Sequence, residues 1–186
     1  MSNAKKNSVV NLELERIEKE AAELSRRAKI SKIKVDKNFH AMTIMYSGSN
    51  KKGGKETTYT GYEEMLDKKY DLIQSLKYPV IKILAFPKEW EDDIVVTGIS
   101  LNYDIENDVL RGMVITMQKD VENLNCPLNI NTPFIKFSNY VADFSPYPVE
   151  ESCWDYHTSG KINEIIENAY LYICGDTKTV QQKLIA

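Results

Sequence analysis

Apolar residues recur near the start of the chain at Val10, Leu14, Ile17, Ala21, Leu24 and Ala28, separated by four, three, four, three and four residues. That spacing keeps one stripe of a helix apolar and predicts an amphipathic helix over residues 9–29 with a heptad seam. Glu13 and Glu15 near its start and Arg26, Arg27 and Lys29 near its end complement the helix dipole. With alanine at two of the six seam positions, the stripe is thin. It can dock on the chain's own domain or, through residues 10–28, on a second copy of the chain.

Beyond the helix the period shortens. Residues 31–46 mix β-formers with partial alternation and read as strand, and Thr57-Thr58-Tyr59 is a second β-prone run, so the two predict a hairpin around a glycine-lysine loop. Thr60-Gly61-Tyr62-Glu63 has capping-box spacing, and Tyr62, Met65, Leu66, Ile73 and Leu76 predict a helix ending before Pro79. The nearly continuous apolar run over residues 80–86 predicts a strand buried on both faces. Residues 93–103 alternate, with Gly98 breaking the phase where a bulge would restore it. Residues 109–117 form the returning strand, and residues 128–132 a further one.

Residues 142–160 carry prolines, acids and aromatics and read as a long loop. A last helix is expected from Ser159, burying Ile162, Ile165, Ile166, Ala169 and Ile173 and stopping at Gly175; residues 180–184 add a turn or two. The order α-β-β-α-β-β-β-β-α predicts an α+β fold with a mostly antiparallel sheet. It would be a single domain over residues 9–186, after a disordered tail over residues 1–8 whose first four residues resemble an expression remnant.

Composition adds exclusions. An apolar fraction of 42% and a charged fraction of 27% suit a soluble globular chain. No run approaches the ~20 apolar residues of a membrane span, and the start lacks a signal peptide's apolar core, so a cytoplasmic protein without a membrane partner is expected. Cys126, Cys153 and Cys174 are odd in number and far apart, without disulfide-framework or zinc spacing, and reduced thiols are the simplest reading.

Charge is unevenly spread. Residues 1–60 hold thirteen Lys/Arg against seven Asp/Glu, a balance of +6, and residues 61–186 hold eleven against twenty, a balance of −9. Such polarity points to a surface with a preferred partner, or more simply to a solvated face. The glycine-lysine loop, residues 46–60, fails as a nucleotide-binding P-loop. Gly54 stands at the lysine position of one register, Glu56 at the hydroxyl position of the other, and β-prone threonines follow where a helix is needed. A looser role remains: Arg26, Arg27, Lys32, Lys34, Lys51, Lys52 and Lys55 contacting nucleic-acid phosphates, with Tyr46 and Tyr59 stacking on bases. The plainer alternative is a solvated hairpin tip.

Cys153 and His157 sit four apart, but no glycine-rich turn accompanies them to form an oxyanion hole, and a catalytic pair is not expected. The acids at residues 89–93 and 104–108 flank hairpin strands, where carboxylates solvate turns, and with two histidines in the chain no metal site or cofactor is expected. Phe144, Tyr147, Trp154 and Tyr156 gather aromatic side chains among acids, which suits either a protein interface or a loop pinned to the domain.

Thr97-Gly98-Ile99-Ser100, Asn131-Thr132-Pro133-Phe134 and Tyr172-Ile173-Cys174-Gly175, spread over residues 80–175, resemble a pattern of uncharacterised phage and prophage proteins. The resemblance implies a mobile-element origin and carries no activity. The leading expectation is a small non-enzymatic binding protein whose partner is single-stranded nucleic acid. The second is a protein–protein adaptor or inhibitor, with a host or phage protein as partner, using loop 142–160 and an oligomerising N-terminal helix.

Overall fold

The computed structural model describes residues 3–48, 55–122, 125–145 and 153–185. Helix α1 (Asn3–Arg27) runs without a break into β1 (Ala28–Val35), which pairs with β2 (Met42–Gly48) on one side and β4 (Ile94–Asp104) on the other. β2 carries β3 (Glu56–Thr60), β4 carries β5 (Val109–Lys119), and β5 carries both β6 (Leu128–Asn131) and the short β7 (Ile135–Lys136). The seven-stranded sheet has the order β3-β2-β1-β4-β5-β6 with β7 also on β5, and every pairing is antiparallel. The fold is α+β, as the element order predicts.

One hydrophobic cluster joins sheet and helices. Ile30, Ile33, Ile44, Ile99, Met113 and Ile115 meet Ile162, Ile165, Ala169 and Tyr172 of α5 (Tyr156–Ile173). Alternate strand residues point away from that cluster. α1 lies along α5 and buries Ile17 and Ala21, with Leu24 partly covered. Burying an isoleucine contributes about 1.5–3 kcal/mol, so the middle of the heptad seam is used within this chain.

Several sequence expectations change. Residues 31–46 form two strands, because the Asp36 carboxylate accepts from the amides of Asn38 at 2.8 Å and Phe39 at 2.9 Å and turns the chain between β1 and β2. No helix begins at Thr60. The Gly61 amide donates to Met42 O and the Met65 amide to His40 O, which keeps residues 61–65 extended beside β2, and Tyr62 is exposed. The helix starts only at α2 (Asp67–Gln74).

The apolar run after Pro79 is helix α3 (Lys77–Ile83), not a strand. Pro79 falls in its first turn, where a missing N–H costs nothing because those amides have no partner within the helix. The 142–160 segment is helical at both ends. α4 (Ser138–Phe144) covers its start, and α5 begins at Tyr156 because Asp155 caps the Thr158 amide at 2.8 Å. As expected, Gly175 ends the helical region, with φ of 108°, and α6 (Lys178–Ile185) follows. No described helix is long and apolar enough to cross a membrane.

Candidate nucleic-acid interface

A register shift between Ile30 and Lys32 decides which way the basic strand points. Ala28 and Ile30 are buried before it and Ile33 and Val35 after it, which leaves Lys32 and Lys34 on the face turned away from the helices. A second irregularity, between Val96 and Gly98, keeps Val96 and Ile99 both facing inward on the neighbouring strand. This bulge is the one that the broken alternation at Gly98 predicts.

The pairing registers then assemble two rows across the outer face. One runs Thr60, Thr43, Lys34, Gly98, Thr116, Asn131 across six strands. The next runs Thr58, Met45, Lys32, Ser100, Val114 across five. Adjacent strands lie about 4.8 Å apart, so the first row spans roughly 25 Å. It carries a hydroxyl, amide or ammonium group on every strand except at Gly98, and the second row is interrupted by the apolar Met45 and ends on Val114. Neither row contains a carboxylate. Glu56 stands one row further on, where it accepts from the Ser31 hydroxyl at 2.9 Å.

Other basic residues divide into free and engaged. Among the described residues no ion pair involves Arg26, Arg27, Lys32, Lys34 or Lys55. Arg26 and Arg27 are exposed in the last turn of α1, immediately before the lysine strand, and Lys55 is exposed at the edge of β3. Lys29 is tied to Asp108 at 2.5 Å and lies over the Tyr103 ring, and Lys37 pairs with Asp120 at 3.4 Å. Lys51 and Lys52 lie outside the described residues.

Tyr46 and Tyr59 lie on the opposite face. Tyr46 pairs with Ile30, Tyr59 pairs with Ile44, and both rings join the hydrophobic cluster. The Tyr59 ring meets Tyr172 edge-on, with centroids 6.1 Å apart, and burial raises its hydroxyl's pKa. Tyr46 and Tyr59 therefore lie on the other side of the sheet from Lys32 and Lys34, and a base held on the lysine face does not meet them. The hydroxyl and amide residues that share these rows with the lysines, Thr43, Thr58, Thr60, Ser100, Thr116 and Asn131, are not among the residues that the sequence singles out for binding. Their signal is the polar half of the strand alternation, but reading it requires knowing which face the helices cover.

The aromatic residues expected at a protein interface are separated. Trp154 is 1% exposed, forms an isolated bridge to Phe137 between β7 and α4, and is a core residue. Phe144 and Tyr156 are exposed, at the end of α4 and the start of α5, and Tyr147 lies outside the described residues. Cys153 is half-buried and His157 exposed. No group of His, Cys, Asp or Glu among the described residues is arranged to hold a metal ion.

Comparison with protein-family models, with curated proteins and with solved structures finds no match for this chain.

Proposed function

We propose that this is a non-enzymatic binding protein of phage or prophage type that holds a nucleic-acid strand across the open face of its sheet. The observation that carries the reading is the placement of Lys32 and Lys34 at the centre of that face, without carboxylate partners, with Thr43 beside Lys34 and Ser100 beside Lys32 and with Thr58, Thr60, Thr116 and Asn131 further along the same rows. Ammonium groups neutralise phosphates, and hydroxyl and amide groups donate hydrogen bonds to phosphate and sugar oxygens. With Tyr46 and Tyr59 turned inward, binding rests on backbone contacts and is insensitive to base sequence. Arg26 and Arg27 extend the basic surface from the end of α1.

The test is fluorescence anisotropy of a labelled single-stranded oligonucleotide at several salt concentrations, with the wild type and with K32Q/K34Q. Each phosphate contact removed should lower the slope of log K against log salt by about 0.7 for a single strand. Homopolymers of different bases should bind the wild type alike. Absence of binding at low salt, or an unchanged slope in the double variant, refutes the reading.

A further inference from the structure

A second site lies at the other end of the β4–β5 hairpin. A cleft of about 530 Å³ opens there between the hairpin, β7 and α4, lined by Asn102, Asp104, Glu106, Arg111, Lys136 and Phe144, among others. That volume is in the range of small-molecule sites. Arg111 occupies the irregularity where the β4–β5 register shifts, and its guanidinium lies over the Phe134 ring, 5.5 Å from the centroid. The ring fixes the guanidinium plane from one side.

Arg111 Nε is buried without a hydrogen-bond partner, the one such side-chain atom among the described residues. A buried N–H of a cation left unpaired is costly, and such groups are normally satisfied. Asp104, which lines the same cleft, has its carboxylate committed elsewhere. Asp104 accepts from the Tyr140 hydroxyl at 2.5 Å and from the amides of Glu106 at 2.9 Å and Asn107 at 3.0 Å. The Tyr140 hydrogen bond is also the main cause of its lowered pKa. Three large apolar side chains, Ile105, Phe134 and Phe144, are exposed around the same cleft or its arginine.

We propose that this cleft binds a monoanionic carboxylate carried on an apolar body, with the carboxylate on Arg111 and the body against Phe144 and Ile105. An arginine fork matches a carboxylate in geometry as well as charge. Glu106 at the mouth repels a doubly charged group, which disfavours a phosphate monoester. The carboxylate can come from a small organic acid or from the end of a peptide chain.

The full chain is titrated with phenylacetate, N-acetylphenylalanine, phenyl phosphate and the neutral phenylacetamide, following the backbone amides of Asn102, Arg111 and Phe144 by two-dimensional NMR. Saturable shifts at those amides with either carboxylate, and none with phenylacetamide, are expected. Tighter binding of N-acetylphenylalanine points to a chain end, and tighter binding of phenylacetate to a small acid. R111Q should weaken the carboxylates by about tenfold or more, the loss of one charge-assisted pairing. Because R111Q removes a packed side chain, E106Q serves as a second variant on an exposed turn, and it should tighten phenylacetate about twofold. Equal shifts with phenylacetamide, phenyl phosphate binding more tightly than both carboxylates, no saturable shift with any probe, or unchanged affinity in both variants would each overturn the assignment.

Discussion

The Gln74 side chain pairs with both backbone groups of Val96: its Nε2 donates to Val96 O at 3.0 Å, and its Oε1 accepts from Val96 N at 2.9 Å. On β4 the pairing with β1 covers Ser100, Ile99 and Gly98, so Val96 lies past it. One glutamine from the end of α2 supplies the ladder bonds that a further strand residue would make. It also fastens the helix layer to the sheet.

Replacing Gln74 with alanine leaves two backbone groups of a buried strand residue without their partner. The expected loss is about 1–3 kcal/mol, read as a lower urea midpoint with an unchanged slope. Hydrogen exchange at the Val96 amide should accelerate more than at Ile115 in the neighbouring strand.

Gly61 has no room for a side chain, because a Cβ there would collide with the ring of Tyr172. That ring is fully buried, and its hydroxyl accepts from the Met42 amide at 3.3 Å and donates to Glu63 O, so it cannot swing aside. G61A should destabilise the fold by about 1–3 kcal/mol by overpacking, measured by thermal or urea unfolding. A substitution at Gly160, where a Cβ meets nothing, should lack this penalty.

Lys69 and Asp176 form an ion pair largely withdrawn from solvent, and Gln181 Nε2 donates to the second Asp176 oxygen at 2.8 Å. Removing one partner leaves the other charge uncompensated, so D176A should cost about 3–5 kcal/mol. The K69M/D176L double variant should be much closer to wild type than the sum of the singles. A double-mutant cycle of unfolding free energies checks this.

Asp155 holds the first turn of α5, and its hydrogen bonds with Thr158 pull its pKa below the ordinary value of 3.8. A carboxyl group whose pKa is depressed by folding stabilises the protein above its unfolded pKa and loses that contribution as pH falls through the folded value. Stability should therefore decline on acidification from about pH 5 downward, and D155N should flatten part of that decline. Asp104, lowered chiefly by the Tyr140 hydroxyl, adds to the same slope. Denaturant midpoints measured from pH 6 to pH 2 give the comparison.

The β4–β5 hairpin was legible in the chain because its determinants are local: period-two alternation, a glycine at the phase break and an aspartate-rich turn. The α1 stripe and the glycine stop after α5 were legible for the same reason. Residues 77–83 were not, because a short apolar run satisfies helix and strand equally, and its type is settled by what packs around Val80. Whether Lys34 or Tyr46 faces outward depends on one extra residue at Ser31 and on which side of the sheet α5 lies, both properties of the assembled fold. The residues and the strand periods were determined by the sequence itself. The side of the sheet left open, and with it the identity of the candidate site, was decided only when distant segments packed together, because covering one face is what defines the other.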